Sequence, residues 1–175
     1  GSIVTPLKDR IGSQILTHYS ADIETAKKIT DQEASKLELR LFNVYVPELA
    51  KNIIEQIAFE ARKSEYVDYK SGVSARMSIT AFENLISTAE RRALKSGLDK
   101  TTVRLSDFMG IIPAITGKVE LVYEGEQEGA AIVAQHLIND AIKSYFPAYF
   151  PKIEKLEKNP DKSPYVKIIE WFFNE

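Results

Sequence analysis

Two arginines stand in settings that invite phosphate chemistry. Arg10 lies in Thr5-Pro-Leu-Lys-Asp-Arg-Ile-Gly12, and Arg76 lies in Gly72-Val-Ser-Ala-Arg76, at the predicted start of a helix. A guanidinium at a helix N-terminus opposes the helix dipole, so another group must favour it there. A phosphate is one such group, because the planar fork of a guanidinium binds phosphate oxygens in pairs and stays charged. An ion pair of Arg76 with Glu65 or Asp68 is the alternative, and for Arg10 the alternative is a salt bridge at a strand junction.

Other chemistry is mostly excluded. The chain has no cysteine, so thiol catalysis and cysteine-based zinc sites are ruled out. Its two histidines, His18 and His136, stand far apart without the spacing of a metal site, and each reads as a packed or surface residue. No G-x-S-x-G elbow and no G-x-G-x-x-G turn occurs. The run Gly110-Ile-Ile-Pro-Ala-Ile-Thr-Gly117-Lys118-Val119 superficially resembles a phosphate loop but fails its chemistry. Too many residues separate the glycines, and Val119 cannot ligate magnesium where a Ser or Thr is required. The acidic run from Glu124 to Glu128 lacks the alternation of a calcium loop and reads as a mobile, solvated turn between Gly125 and Gly129.

The elements that must position these residues are mainly helical. The 175 residues, 44% hydrophobic and 27% charged, suffice for a core without disulfides or a structural metal. A net charge of −2 argues against a dominant nucleic-acid surface, and no apolar run reaches the roughly 20 residues of a membrane span. A cytoplasmic protein binding neither nucleic acid nor membrane is the expectation. Gly1-Ser2 resembles a cleaved-tag scar, and without a Met before Ile3 the natural chain is expected to begin upstream.

Gln14–Tyr19, rich in β-branched and aromatic residues, predicts a strand. A helix is predicted from Asp22, as its cap, to about Leu41, with its weakest apolar pattern near Thr30. Pro47 opens the next, with Leu49, Ile53, Ile54, Ile57, Ala58 and Ala61 on one face. After a polar loop, Ser78 is the expected cap of a helix whose stripe is Ile79, Phe82, Leu85, Ile86, Ala89 and Ala93, and which Gly97 closes. Arg91, Arg92 and Lys95 then complement its dipole.

Thr102–Leu105 reads as a short extended piece, Ser106 and Asp107 as the start of a helix that Pro113 bends or ends, and Lys118–Tyr123 as a second short strand. A helix from Ala130 to Phe146, stopped near Pro147, presents Val133, Leu137, Ile138, Ala141, Ile142 and Tyr145. The terminal segment Tyr165–Phe173 is too apolar for a free tail and is expected to dock on the core or on a partner or neighbouring lid, with packing in its own chain preferred.

Three of these stretches, in order, carry a resemblance. Pro6-Leu-Lys-Asp-Arg10-Ile-Gly12, Gly72-Val-Ser-Ala-Arg76 and Val103-Arg-Leu-Ser-Asp107 look like the end of a AAA+ ATPase core and its helical lid. The branch they resemble contains the MoxR proteins and the ATPase subunit of magnesium chelatase. The resemblance covers about residues 5–121 and departs from the branch at Ile11, where an aromatic is common.

It implies a tag remnant and last core strand over residues 1–20, a helical lid over 21–121 and a helical extension over 122–175. Arg76 then matches the sensor-2 arginine that reaches nucleotide phosphates, and Arg10 falls where the family carries its arginine finger. ATP and Mg²⁺ are the implied cofactors of the full-length protein, a homo-oligomeric ring, commonly a hexamer, its assembly, and remodelling of a partner protein or metal insertion its output. The phosphate loop is expected before Ile3, so these residues alone should neither bind the cofactors nor hydrolyse ATP. The competing expectation is a stand-alone helical interaction module without a nucleotide role.

Overall fold

The computed structural model describes residues 10–12, 15, 17–34, 43–150 and 165–173. The fold is mainly helical, with one short two-stranded sheet. In chain order it comprises α1 (Ile23–Ala34), β1 (Asn43–Tyr45), α2 (Glu48–Lys63), α3 (Ala75–Lys95) and β2 (Lys100–Thr102). A 3₁₀ helix (Leu105–Ile111) follows, then α4 (Ile112–Thr116), α5 (Tyr123–Glu128), α6 (Ala130–Tyr149) and α7 (Val166–Phe173).

The apolar stripes dictate the packing. Ile53, Ile54, Ile57, Ala58 and Ala61 of α2 are all buried, as are Leu85, Ala89 and Ala93 of α3 and Val133, Leu137, Ile138 and Ala141 of α6. These three faces meet in one core, sealed by Phe108 and Ile111 of the 3₁₀ helix and Ile115 of α4. The core draws on residues to both sides of position 121, since α6 packs along α2. Burying each Ile, Leu, Val or Phe of this set stabilises by about 1.5–3 kcal/mol, so this shared core dominates the fold's energetics.

Several local expectations hold and others are corrected. Asp22 caps α1, accepting from the Thr25 amide at 2.8 Å, while the expected continuation of that helix to Leu41 lies outside the described residues beyond Ala34. Ile15 and residues 17–20 form no strand, and Gln14 and Leu16 lie outside the described residues, so the predicted strand Gln14–Tyr19 is not found. Its β-branched residues had no sheet to join.

The actual sheet pairs β1 with β2 in parallel, with Val44 opposite Thr101. The α2–loop–α3 hairpin is the crossover that parallel strands require. Lys118–Tyr123 supplies a single antiparallel bridge, Val67 to Leu121, instead of a strand.

Ser74 caps α3, four residues before the expected Ser78, and Gly97 ends it with φ +64°. The 3₁₀ helix has already ended at Ile111, and Pro113 sits in the first turn of α4, so it opens an element where a bend or an end was expected. The expected acidic turn is the helix α5, and Gly125 within it is buried. A Cβ at Gly125 would lie 2.5 Å from the Tyr66 carbonyl oxygen, so close seating against a neighbouring backbone explains this glycine.

Pro147 does not stop α6, which runs on to Tyr149. So near the helix end it removes one hydrogen bond only. In α7, Ile168, Trp171 and Phe172 remain exposed, so the expected docking within the chain is not found among the described residues. No described helix is long and apolar enough to cross a membrane.

Candidate functional site

The turn between α2 and α3 is the candidate site, because it presents Arg76. Ser74 has extended backbone (φ −78°, ψ 157°), and its Oγ accepts from the Arg76 amide at 3.3 Å, satisfying one of the orphan donors of the first turn. The Arg76 side chain is exposed, and its guanidinium has no hydrogen bond or ion pair with any described residue. The expected alternative, an ion pair with Glu65 or Asp68, is not formed. Asp68 instead accepts from the Lys70 amide at 2.9 Å and from Ser71 Oγ at 3.1 Å, folding the loop on itself.

What fixes this turn is a set of contacts that local sequence patterns do not announce. Arg62, in the last turn of α2, donates through Nη2 (3.2 Å) and Nε (3.4 Å) to the carbonyl of Val73, a residue wholly buried in the core. Its guanidinium lies 4.5 Å from the ring centre of Tyr19 and 5.1 Å from that of Phe59. Burial lowers the Arg62 pKa from its usual value, and the charges of Tyr19 and Glu55 oppose that shift. Tyr19 in turn lies against Gly72: a Cβ on Gly72 would fall 1.9 Å from the tyrosine oxygen. Gly72 has φ +71°, so both its backbone and its surroundings call for glycine.

The other side of the same loop is anchored to the segment before α5. Asp68 donates its amide to Glu120 O (2.9 Å), and Val122 donates to Tyr66 O (3.0 Å). Beyond it opens a polar groove of about 720 Å³ between the end of α2 and α6, whose walls include Glu60, Lys63, Glu65, His136, Asp140 and Lys143. Its cationic and anionic side chains are interspersed, with Lys63 and Glu60 already paired at 3.8 Å. Among the described residues no group of three His, Asp or Glu side chains is arranged to hold a metal. His136 is exposed on the groove wall and His18 is exposed near α1.

Comparison with protein-family models, with curated proteins and with solved structures finds no match for this chain. The residues themselves therefore carry the functional argument. Arg10 is exposed in a turn, with no hydrogen bond or ion pair to a described residue. Asp9 and the rest of the Pro6–Arg10 motif before it lie outside the described residues. The run Gly110–Val119 spans the end of the 3₁₀ helix, α4 and the residues just after it, with Ile111, Ala114 and Ile115 buried, so it is core and not a phosphate loop.

Two buried charged centres escape local sequence reading. Arg92, expected only to complement a dipole, forks onto Asp107 through Nε (2.9 Å) and Nη2 (2.8 Å), and also donates to Thr101 Oγ1 (3.0 Å) and Thr102 O (2.7 Å). Burial pushes the Asp107 pKa up, but the Arg92 fork and the Arg104 amide at 2.8 Å outweigh it and hold the carboxyl below its usual range.

Glu55, inside the apolar stripe of α2, is the second centre. It accepts from Thr30 Oγ1 (2.7 Å) and Ser78 Oγ (2.9 Å), joining α1, α2 and α3. Burial raises its pKa against the pull of those hydroxyls and of Arg62. Thr30, where the apolar pattern of α1 is weakest, is buried for this reason. Lys27, also buried, bridges Glu24 (2.7 Å) and Glu48 beside it. Both centres are structural joints; the Arg92 pair sits near the far end of α3, whereas Glu55 holds Ser78 in the first turn of α3, two residues after Arg76.

Proposed function

We propose that this chain is the helical lid and C-terminal extension of a cytoplasmic AAA+ ATPase of the MoxR and magnesium-chelatase-subunit type, working as a homo-oligomeric ring. The observation that carries the reading is the exposed Arg76 on the first turn of a 21-residue helix, its guanidinium unpaired among the described residues. Placing a cation there costs about 0.3–1 kcal/mol against the dipole, with no acidic partner to offset it. An arriving phosphate offsets it, and five N–H donors in a rigid fork suit its oxygens. The residue types around it agree with that role: Gly72 makes the turn, Ser74 caps the helix and Val73 anchors both to the core.

In this reading Arg76 binds and orients the phosphates of ATP, and the lid built on α2 and α3 follows the nucleotide as it is consumed. ATP with Mg²⁺ supplies the phosphoryl-transfer chemistry, on a phosphate loop belonging to the AAA+ core. Arg10, exposed and without a partner among the described residues, is free to face a neighbouring subunit as an arginine finger. The output is remodelling of a partner protein or assisted metal insertion.

The deciding experiment compares ATP hydrolysis by the natural full-length protein with that of its Arg76→Ala variant. A fall of about 10²-fold with folding intact, the effect of deleting one charge-stabilising donor, supports the proposal. Absence of hydrolysis in the unsubstituted protein refutes it.

A further inference from the structure

We infer that Arg62 is the positioning residue for Arg76, and that Tyr19 latches it. The inference rests on the phosphate role proposed above for Arg76, but its geometry stands independently.

Arg62 reaches out of one helix to grip the start of the next. Its fork closes on a single backbone oxygen, that of Val73, the residue immediately before the Ser74 cap of α3. The direction in which α3 starts, and with it the reach of Arg76 two residues beyond the cap, is therefore set from α2. Lysine cannot substitute fully, because it has neither two aligned donors nor a flat face to stack on an aromatic ring.

The stacking is the second half of the device. Tyr19 covers the Arg62 guanidinium at 4.5 Å and presses its oxygen end onto Gly72, the residue before Val73. One tyrosine thus holds both the arginine and the turn that the arginine grips. A displacement of the turn by a ligand on Arg76 would therefore be felt at Tyr19.

The test uses two readouts on the full-length protein, with Arg62→Lys, Arg62→Met and Tyr19→Leu beside the parent. The first is amide hydrogen exchange over Gly72–Met77, referenced to Leu85–Ala93 in the middle of α3. The second is the KM for ATP against kcat. Arg62→Met and Tyr19→Leu should accelerate exchange in the turn by about tenfold or more while the middle of α3 is unchanged, and should raise KM several-fold more than they lower kcat. Arg62→Lys should fall between them and the parent.

Unchanged exchange in the turn, in folded Arg62→Met and Tyr19→Leu alike, overturns the latch. Faster exchange with an unaltered KM overturns the positioning of Arg76. If the unsubstituted protein hydrolyses no ATP, the proposed function fails and takes the positioning role with it, while the exchange readout still tells whether Tyr19 and Arg62 hold the turn. Exposed Tyr19 is a safe site for substitution, so a folding failure of Arg62→Met leaves the test intact.

Discussion

Replacing Arg92 by Met should be among the most damaging single changes to this fold. The Asp107 side chain is only 3% exposed, and Arg92 supplies two of its hydrogen bonds, at 2.8 and 2.9 Å. Arg92→Met leaves the buried carboxylate with the Arg104 amide as its remaining partner. Breaking one side of a buried pair costs about 3–5 kcal/mol. The 23% exposure of Arg92 lets some water reach the gap and favours the lower part of that range.

For a domain of this size the expected fall in Tm is about 6–20 °C, read by calorimetry and by urea titration. Replacing both partners, Arg92→Met with Asp107→Leu, removes the orphaned charge, and the double variant should recover at least about 2 kcal/mol relative to the sum of the single losses. The pH dependence has a definite sign. Because the folded Asp107 pKa is depressed, the pair's contribution is present above the unfolded value of about 3.9 and is lost as pH falls through the folded one. Parent and Arg92→Met should therefore converge in acid. A folded Arg92→Met protein within about 1 kcal/mol of the parent at neutral pH, or losses that simply add, would refute the reasoning.

Two further outcomes are expected from the same physics. Glu55 has a raised folded pKa, so the parent should lose stability as pH rises from about 4.3, the unfolded value, through the folded one, and Glu55→Gln should lack that loss. At pH 7 the Gln variant should be at least as stable as the parent in urea titration, and a loss above about 2 kcal/mol would show that Thr30 and Ser78 require the charge. Gly125→Ala gains about 0.5–1 kcal/mol of helix propensity but drives a methyl to 2.5 Å from the Tyr66 carbonyl oxygen, so overpacking of about 1–3 kcal/mol wins. Its denaturation midpoint should drop, and a rise would refute the close seating of α5.

The sequence made α2, α3 and α6 legible because each buries a stripe repeating every three or four residues, a pattern that depends on no distant partner. The same logic found Asp22 and Gly97, whose roles are decided within one turn. It failed where the partner is remote. Nothing near Arg92 points to Asp107, nothing near Glu55 points to Thr30 and Ser78, and an acid inside an apolar stripe is invisible to a count of apolar residues.

Ser78 was misread as a cap because hydroxyls favour helix starts, whereas its hydroxyl is needed 23 residues away on Glu55. The β1–β2 pair joins positions 57 residues apart, too distant for any hairpin signal, while the β-branched run at Gln14–Tyr19 had the propensity without the partner. At the candidate site Arg76, the Gly72 turn and the helix start could be read directly. Arg62, eleven residues before the Val73 carbonyl it grips, could not, although an arginine at the end of an apolar stripe ahead of a glycine turn is a weak signal for it.

The Arg92 fork and the parallel strands close the far end of the α2–α3 pair from the Arg76 turn. One end of α3 is therefore buckled and the other carries the exposed arginine, with 21 residues between the ends. At 1.5 Å per residue the helix is a lever about 31 Å long. Its ends are tied to α2 through the sheet and the Val73 carbonyl, and its middle is seated in the core at Leu85 and Ala89. A rotation of about 5° about the Arg76 end would displace Arg92, about 24 Å along the helix, by roughly 2 Å, enough to carry its hydrogen bonds beyond bonding distance.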